Sequence, residues 1–286
     1  MDLVALQIFK TVAEAGGITR AAARLHRVQS NVTTRIQQLE ARLGTRLFHR
    51  QKRRLVLSAE GRLLLEYAGR LLRLASEAQA ALRNGAPQGL LRIGSLESTA
   101  AARLPPLLSR FHLAFPKVRL ELITGTTGAL VAKVLHNEIE AAFVAEPFTA
   151  DDLEMQRAFD EQLVLIAPKS FRRVRSAKDI GHAAVLAFAA GCSYRRRLEA
   201  WLGRSKVAPD RVMEYGSYHA IVACVAAGAG IAVVPRSVIR AVRPEHDVAI
   251  HRLPADIANA KTLLVWRKGH RSGALDALRG QLARMK

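Results

Sequence analysis

The sequence predicts an α/β chain in three consecutive parts: a winged helix-turn-helix over residues 1–58, a long helix suited to pairing and a hinge over 59–86, and a two-lobed α/β domain over 87–286. Three observations predict this. Ile18 to Leu43 reads as a short helix, a turn and a second helix whose faces differ in chemistry. Residues 64 to 82 carry apolar side chains at alternating spacings of four and three. From residue 90 onwards short apolar runs alternate with helical patterns, the rhythm of a mostly parallel sheet covered by helices.

In the first part, Thr19 is placed to cap the short helix, and Ala21, Ala22 and Ala23 leave room for a close neighbour. Along the second helix Val28, Val32, Ile36, Leu39 and Leu43 recur at the helical period and form a stripe expected to be buried. Asn31, Thr34, Arg35, Gln38 and Arg42 form a separate polar stripe about 100° away. Such side chains match base edges in a DNA major groove, Arg to guanine and Asn or Gln to adenine. Ser30 and Thr33 are placed to reach phosphates, and Gln29 opens the same surface. Arg46–Arg50 and Arg53–Leu57 then read as the strands of a hairpin whose tip is Gln51, Lys52 and Arg53. Arg50, Arg53 and Arg54 make this a basic wing suited to phosphates or a minor groove. An amphipathic helical hairpin with a solvated charged loop would explain some of these features, but not their agreement.

Ser58, with Glu60 behind it, is expected to cap a helix that continues to about Arg83. Leu64, Ala68, Leu71, Ala75, Ala78 and Leu82 form its heptad seam. A helix of this length reaches roughly 40 Å at about 1.5 Å per residue. Its apolar edge must be buried, either against the chain's own body or against a second copy. Pairing would present two reading heads to a roughly palindromic DNA site.

Composition agrees. With 286 residues, half of them hydrophobic, the chain can build two or three compact units. Net charge is +20, and residues 1–86 hold 15 Lys plus Arg against 6 Asp plus Glu, a denser excess than the 29 against 18 of the remaining 200. A basic front of this kind points to nucleic acid. Cys192 and Cys224 are too few for a disulfide framework or a metal site and fit a reducing cytoplasm. Met1–Lys10 has no basic segment or long apolar core, so a secretory signal is not expected. Gly216–Pro235, the longest uncharged stretch, reads as a buried helix and strand rather than a membrane span.

Asn84 to Gly89 breaks the long helix. Beyond it, strands at Leu90–Ile93, Val118–Ile123 and Ala141–Val144 alternate with helices at Thr99–Phe115 and Gly128–His136. A second unit holds strands at Leu163–Ala167, Ala184–Phe188 and Ile231–Val234 and helices at Ser193–Leu202 and Ala220–Ala227. Thr262–Trp266 and a terminal helix from about Gly273 return to the first unit. This gives lobe I about 87–162 and 267–286, and lobe II about 163–266, with a cleft between them.

Ligands of open α/β sheets bind outside the carboxyl ends of the strands. Four turns there carry small polar residues: Ser95, Glu97, Ser98 and Thr99; Thr126 and Thr127; Cys192, Ser193, Tyr194 and Arg195; and Ser217, Tyr218 and His219. Each hydroxyl alone is explained equally well as a helix cap, whereas four together favour an effector site. Glu97 would hold an ammonium group, with Arg195 or Arg196 at the other end of the molecule, which suggests an amino acid, an amine-derived acid or a polyamine. Solvated surface is the competing reading for these charges.

Enzyme motifs are missing: there is no G-x-S-x-G, phosphate loop, G-x-G-x-x-G or H-E-x-x-H, and neither His219 nor Cys192 has an evident activating partner in the sequence. No catalytic residue, metal site or cofactor is expected. Cys192 reads as a small wall residue of the cleft and Cys224 as core.

The start MDL, Phe9, Val12, Ala13, the stretch TRAAARLH, Gln29, the stretch TTRIQQLEARLGTRLFHR and Leu57–Gly61 together resemble the winged helix-turn-helix of LysR-type transcriptional regulators. Gly17 and Ile18 stand where that family usually has Ser and an aromatic, and Val28 and Ser30 flank Gln29 where Ser and Pro are common, which leaves the base sequence read by the helix open. The resemblance covers the whole chain. It implies that the long helix is a dimerisation linker and that the two-lobed domain has a periplasmic-binding-protein-like fold. GSLESTAA, GCSYRRRLEAWL and GSYHAIVACVAAGAGIAVVPRS are similar, more narrowly, to the subgroup that includes the putrescine-utilisation regulator, which implies control of amine or amino-acid catabolism.

The expected protein is thus a cytoplasmic, effector-responsive regulator that binds double-stranded promoter DNA as a homodimer or homotetramer, takes a polar or charged small molecule, and has RNA polymerase as a further candidate partner. The alternative is a DNA-anchored small-molecule binding protein without a regulatory role.

Overall fold

The computed structural model describes residues 1–51, 54–81, 87–149, 151–171, 174–242 and 248–285. The chain divides into two compact units, Met1–Asn84 and Gly85–Lys286.

The first unit opens with α1 (Leu3–Ala15), whose first turn is capped by Asp2 accepting from the Ala5 amide at 2.8 Å and whose end is turned by Gly16 at φ 66°. α2 (Ile18–Arg24) and α3 (Gln29–Leu43) follow, then the antiparallel pair β1 (Phe48–Gln51) and β2 (Arg54–Leu57), and α4 (Ala59–Ala81). Leu6, Phe9, Val12, Ala21, Ala22, Val32, Ile36, Leu39 and Leu47 form the core that fixes α3 against α1 and α2, and the Phe9 and Phe48 rings meet at 5.4 Å.

Several expectations are corrected here. Thr19 lies inside the first turn of α2, and Gly17 holds the cap position without a side-chain bond. Val28 precedes the first turn of α3 and is 69% exposed, and Leu43 at its last turn is 40% exposed, so the buried stripe is Val32, Ile36 and Leu39. The heptad seam of α4 is split: Ala68 is completely buried in the core of its own unit, with Leu64 packed against that core. Leu71 and Ala78 are exposed, and Ala75 is half-buried. The larger apolar side chains left in solvent are Leu63, Tyr67, Leu71 and Leu74. Leu82 and Arg53 lie outside the described residues, as do the side chains of Arg50 and Arg54.

Ser58 caps α4 as expected, accepting from the Gly61 amide at 2.8 Å, and its hydroxyl also donates to the Arg46 carbonyl at 2.7 Å. A Cβ on Gly61 would stand 2.1 Å from the Leu47 carbonyl oxygen, so only glycine lets α4 approach the bend leading into β1 this closely.

The second unit begins with β3 (Gly89–Ser95), α5 (Glu97–Ala102), α6 (Leu104–Ala114), β4 (Val118–Thr124), α7 (Thr127–Leu135) and β5 (Ala141–Ala145). The single helix expected over Thr99–Phe115 is broken at Arg103, because Pro105 and Pro106 cannot donate to a preceding turn and therefore begin a new helix. There follow β6 (Leu153–Pro168), β7 (Val185–Ala187), α8 (Ser193–Arg204), β8 (Val212–Glu214), α9 (Tyr218–Ala226), β9 (Ala232–Pro235), α10 (Arg236–Val242), β10 (Val248–Arg252), α11 (Ala255–Ala258), β11 (Asn259–Arg267) and α12 (Gly273–Ala283).

The main sheet runs β10-β6-β11-β5-β3-β4, with β9 also on β6. Its β3, β4 and β5 are parallel, but β11, β6, β9 and β10 join antiparallel, so the sheet is mixed rather than mostly parallel. β6 is one 16-residue strand, longer than the expected Leu163–Ala167: its first half pairs with β11 and its second half with β9 and β10. β11 pairs with β5 over Thr262–Trp266, so the return to the first lobe's sheet begins at Asn259, earlier than a boundary after residue 266. Leu104, Leu107 and Phe111 of α6 with Leu275, Leu278 and Leu282 of α12 cover one face of that sheet, and Leu130 and Val134 of α7 pack on the other. As expected of Gly216–Pro235, α9 buries Tyr218, Ile221, Val222 and Val225, and β9 is wholly buried. No helix among the described residues is long and apolar enough to cross a membrane.

Candidate functional site

The first candidate surface is α3 and its wing. Opposite the buried Val32, Ile36 and Leu39, the side chains of Gln29, Ser30, Asn31, Thr34, Arg35, Gln38 and Arg42 are all exposed. Asn31 accepts from the Arg27 guanidinium at 3.4 Å, and Arg42 stands 3.8 Å from Asp2. Thr33 differs from expectation: it is half-buried and its hydroxyl donates to the Gln29 carbonyl at 2.9 Å, which commits the proton a phosphate would need.

Glu40 is the residue here that sequence reasoning missed. It belongs to the polar half of the α3 alphabet, yet it is buried, and its carboxylate accepts from the Leu47 amide at 2.8 Å, the Phe48 amide at 3.3 Å and the Arg46 guanidinium at 3.2 Å. It thereby fixes the start of β1 to the reading helix. The signal available was a lone carboxylate beside Leu39 in the buried stripe.

The second candidate surface is built at the strand ends of the second unit. Ser95 is fully buried and donates to the Leu96 carbonyl at 2.9 Å. Thr126 caps α7 through the Ala129 amide at 3.4 Å. Thr127 and Ser193, from different turns, both donate to the carbonyl of Ala145, at 3.2 and 2.9 Å, and Ser193 also reaches the Glu146 carbonyl at 2.6 Å. The first residues of α7 and α8 are thus pinned to the end of β5.

Glu97, at the start of α5, meets the start of α9: one carboxylate oxygen accepts from the Tyr218 amide at 3.4 Å, and the other is buried without a hydrogen-bond partner. Burial pushes its carboxyl pKa up, against the pull of the Tyr218 amide, of exposed His219 and of the Ser217 hydroxyl. Ser98 and Thr99 are buried, and so is Tyr194, whose phenol is raised well above its ordinary pKa by burial. Tyr218 is likewise raised by burial and packs on Phe188 with ring centres 4.5 Å apart.

Arg195 was expected to reach a ligand. Its guanidinium donates from Nε to Glu199 at 2.7 Å and from Nη1 to the Phe188 carbonyl at 3.0 Å, with Glu214 3.1 Å from Nη1, so two of its three nitrogens are engaged inside lobe II. Arg196 donates to the Pro147 carbonyl at 2.6 Å. Cys192 is buried and its thiol pKa is pushed up by that burial, which opposes a thiolate at neutral pH. Sequence reasoning also missed Arg103, Glu161 and Ser237, which meet only through the tertiary fold: Arg103 and Ser237 both donate to the buried Glu161 carboxylate.

The chain matches the family described as "Bacterial regulatory helix-turn-helix protein, lysR family" over residues 3–62 and the "LysR substrate binding domain" over residues 84–286. It is 39% identical over 269 residues to the HTH-type transcriptional regulator GltR of Bacillus subtilis, covering 94% of this chain and 91% of the relative. It is 41% identical over 263 residues to the regulator YofA of Bacillus velezensis, covering 92% and 90%. The solved structure of full-length CbnR in complex with its target DNA aligns over 100% of both chains at 27% identity, with a TM-score of 0.72. The narrower resemblance to the putrescine-utilisation subgroup finds no support in these relatives.

Proposed function

Since the chain belongs to the LysR family of DNA-binding transcriptional regulators, which joins a helix-turn-helix to an effector-binding domain, we propose that α3 reads a promoter sequence and that a small polar molecule, seated among the strand-end turns of the second unit, controls the outcome. The single observation that carries the DNA part is the division of α3 into a buried apolar stripe and an exposed face of Gln29, Asn31, Thr34, Arg35 and Gln38. The family is one of transcriptional regulators rather than enzymes.

Glu97 supports an effector that carries an ammonium or another strong hydrogen-bond donor, because its second carboxylate oxygen is buried with no charged donor and only the Ser217 hydroxyl near it. The exposed Leu63, Tyr67, Leu71 and Leu74 on α4 support pairing with a second copy, which would set two reading heads on a dyad site in the cytoplasm. Effector binding would change the angle between the lobes and so the spacing of the heads. Footprinting on a bound promoter, with and without candidate amines and amino acids, tests this: the reading expects protection to lengthen or shift with a ligand that binds. An unchanged footprint with every ligand shown to bind contradicts it.

A further inference from the structure

The turn that leads into α3 holds one side chain at the mouth of the reading helix. His26 adopts φ 51°, and its amide donates to the Ala23 carbonyl at 3.3 Å while the Arg27 amide donates to the Ala22 carbonyl at 3.0 Å. These two bonds close the end of α2 and pin the backbone of Arg27. The exposed Arg27 guanidinium reaches the first turn of α3 and donates from Nη1 to Asn31 Oδ1 at 3.4 Å. No carboxylate close in sequence competes for it, because residues 15–39 contain neither Asp nor Glu.

That bond decides what Asn31 offers a base. An unpaired Asn recognises adenine by turning both ends of its amide to one base edge, the oxygen accepting from N6 and the nitrogen donating to N7. Arginine has donors only, so the Asn31 oxygen is the end turned to Arg27, and the nitrogen with its hydrogens is the end left for DNA. Beyond their own bond the two side chains therefore present donors: the Nδ2 hydrogens of Asn31 and the remaining N–H groups of Arg27. Adenine would set its N6 amino group against these donors. Guanine instead presents N7 and O6, two acceptors side by side in the major groove.

We infer that Arg27 and Asn31 read DNA as one unit that selects guanine, which makes Arg27 a specificity-determining residue rather than a phosphate contact alone. This rests on the reading of α3 as the helix that recognises the promoter. It reverses the adenine preference that Asn31 would carry by itself.

Selection by the full-length protein from a randomised DNA duplex library provides the test, with the wild type, Asn31→Ala and Arg27→Ala compared. The position whose preference disappears in Asn31→Ala is the one the pair reads. It should be guanine in the wild type. Arg27→Ala should lower that guanine preference about tenfold, or turn it to adenine, and leave the other positions of the motif unchanged, tenfold being the size of one good base contact. Arg27→Gln keeps a donor for the Asn31 oxygen without the charge and should retain part of the guanine preference, which loss of a phosphate contact would not predict. Adenine at that position in the wild type, no position that depends on Asn31, or an Arg27→Ala loss spread equally over all sequences overturns the inference. A wild type that enriches no motif contradicts the promoter-reading role of α3 itself, whereas a motif that ignores Arg27 contradicts only the pair, so the two failures are told apart.

Discussion

The Glu40 carboxylate accepts a hydrogen bond from the Leu47 amide at 2.8 Å, joining the reading helix to the bend that leads into the wing. The same carboxylate takes the Phe48 amide and the Arg46 guanidinium, so three donors of the wing base converge on one buried side chain of α3. Wing and helix are therefore set as one rigid reading head. Glu40→Ala strands two amides and should cost about 1.5–3 kcal/mol, the range for hydrogen bonds to a charged group. Glu40→Gln keeps one acceptor and should cost less. Urea denaturation of both variants checks the order, and equal stability of Glu40→Ala and the wild type would remove Glu40 from this role.

Arg35 is exposed in the middle of the polar face of α3. Loss of a bidentate contact to a base should cost about 1–3 kcal/mol on the specific site and little on random DNA. Fluorescence anisotropy with both DNAs measures the ratio. Equal losses on the two would make Arg35 a phosphate contact.

Glu97 predicts a pH dependence. Its carboxyl pKa is raised in the folded protein by burial, so the folded state binds a proton more readily than the unfolded chain. The stability gained from that preference is complete below the ordinary value of 4.5 and is lost as pH rises through the raised value. Glu97→Gln has no such loss, so its melting temperature should gain on the wild type between acidic and neutral pH. A constant difference across that range would contradict the burial of this carboxylate.

Leu63 and Leu74 are 58% and 57% exposed on α4. If they face a second copy, Leu63→Asp with Leu74→Asp should shift sedimentation of the full-length protein toward the monomer without changing the melting of the core around Ala68. Unchanged self-association would place the pairing surface elsewhere.

Much of the architecture was legible in the sequence because periodicity reports burial. Val32, Ile36 and Leu39, and the alternation from β3 to β5, are of this kind. Val28 and Leu43 misled because the same period continues past the last residues that have a neighbour to pack on. Ala68 misled because a small residue in a heptad fits the chain's own core as well as a partner's. Thr127 and Ser193 were found from their places at strand ends, but their shared target, the Ala145 carbonyl, is a backbone atom with no sequence signature. Glu40, Arg103 and Glu161 act through contacts between distant segments, which no local pattern reveals. Arg195 stands where a ligand-binding arm is expected, and only the positions of Glu199 and Glu214 show that its Nε and Nη1 are already engaged.

The most direct measurement is genome-wide mapping of binding sites for the wild type and for Asn31→Ala with Arg35→Ala, the two folding equally well by circular dichroism. The wild type should occupy promoters that share one sequence motif with dyad symmetry, and the double variant should lose that motif. Scattered occupancy without a shared motif, or the same motif bound by the double variant, would contradict the reading of promoter DNA by the exposed face of α3.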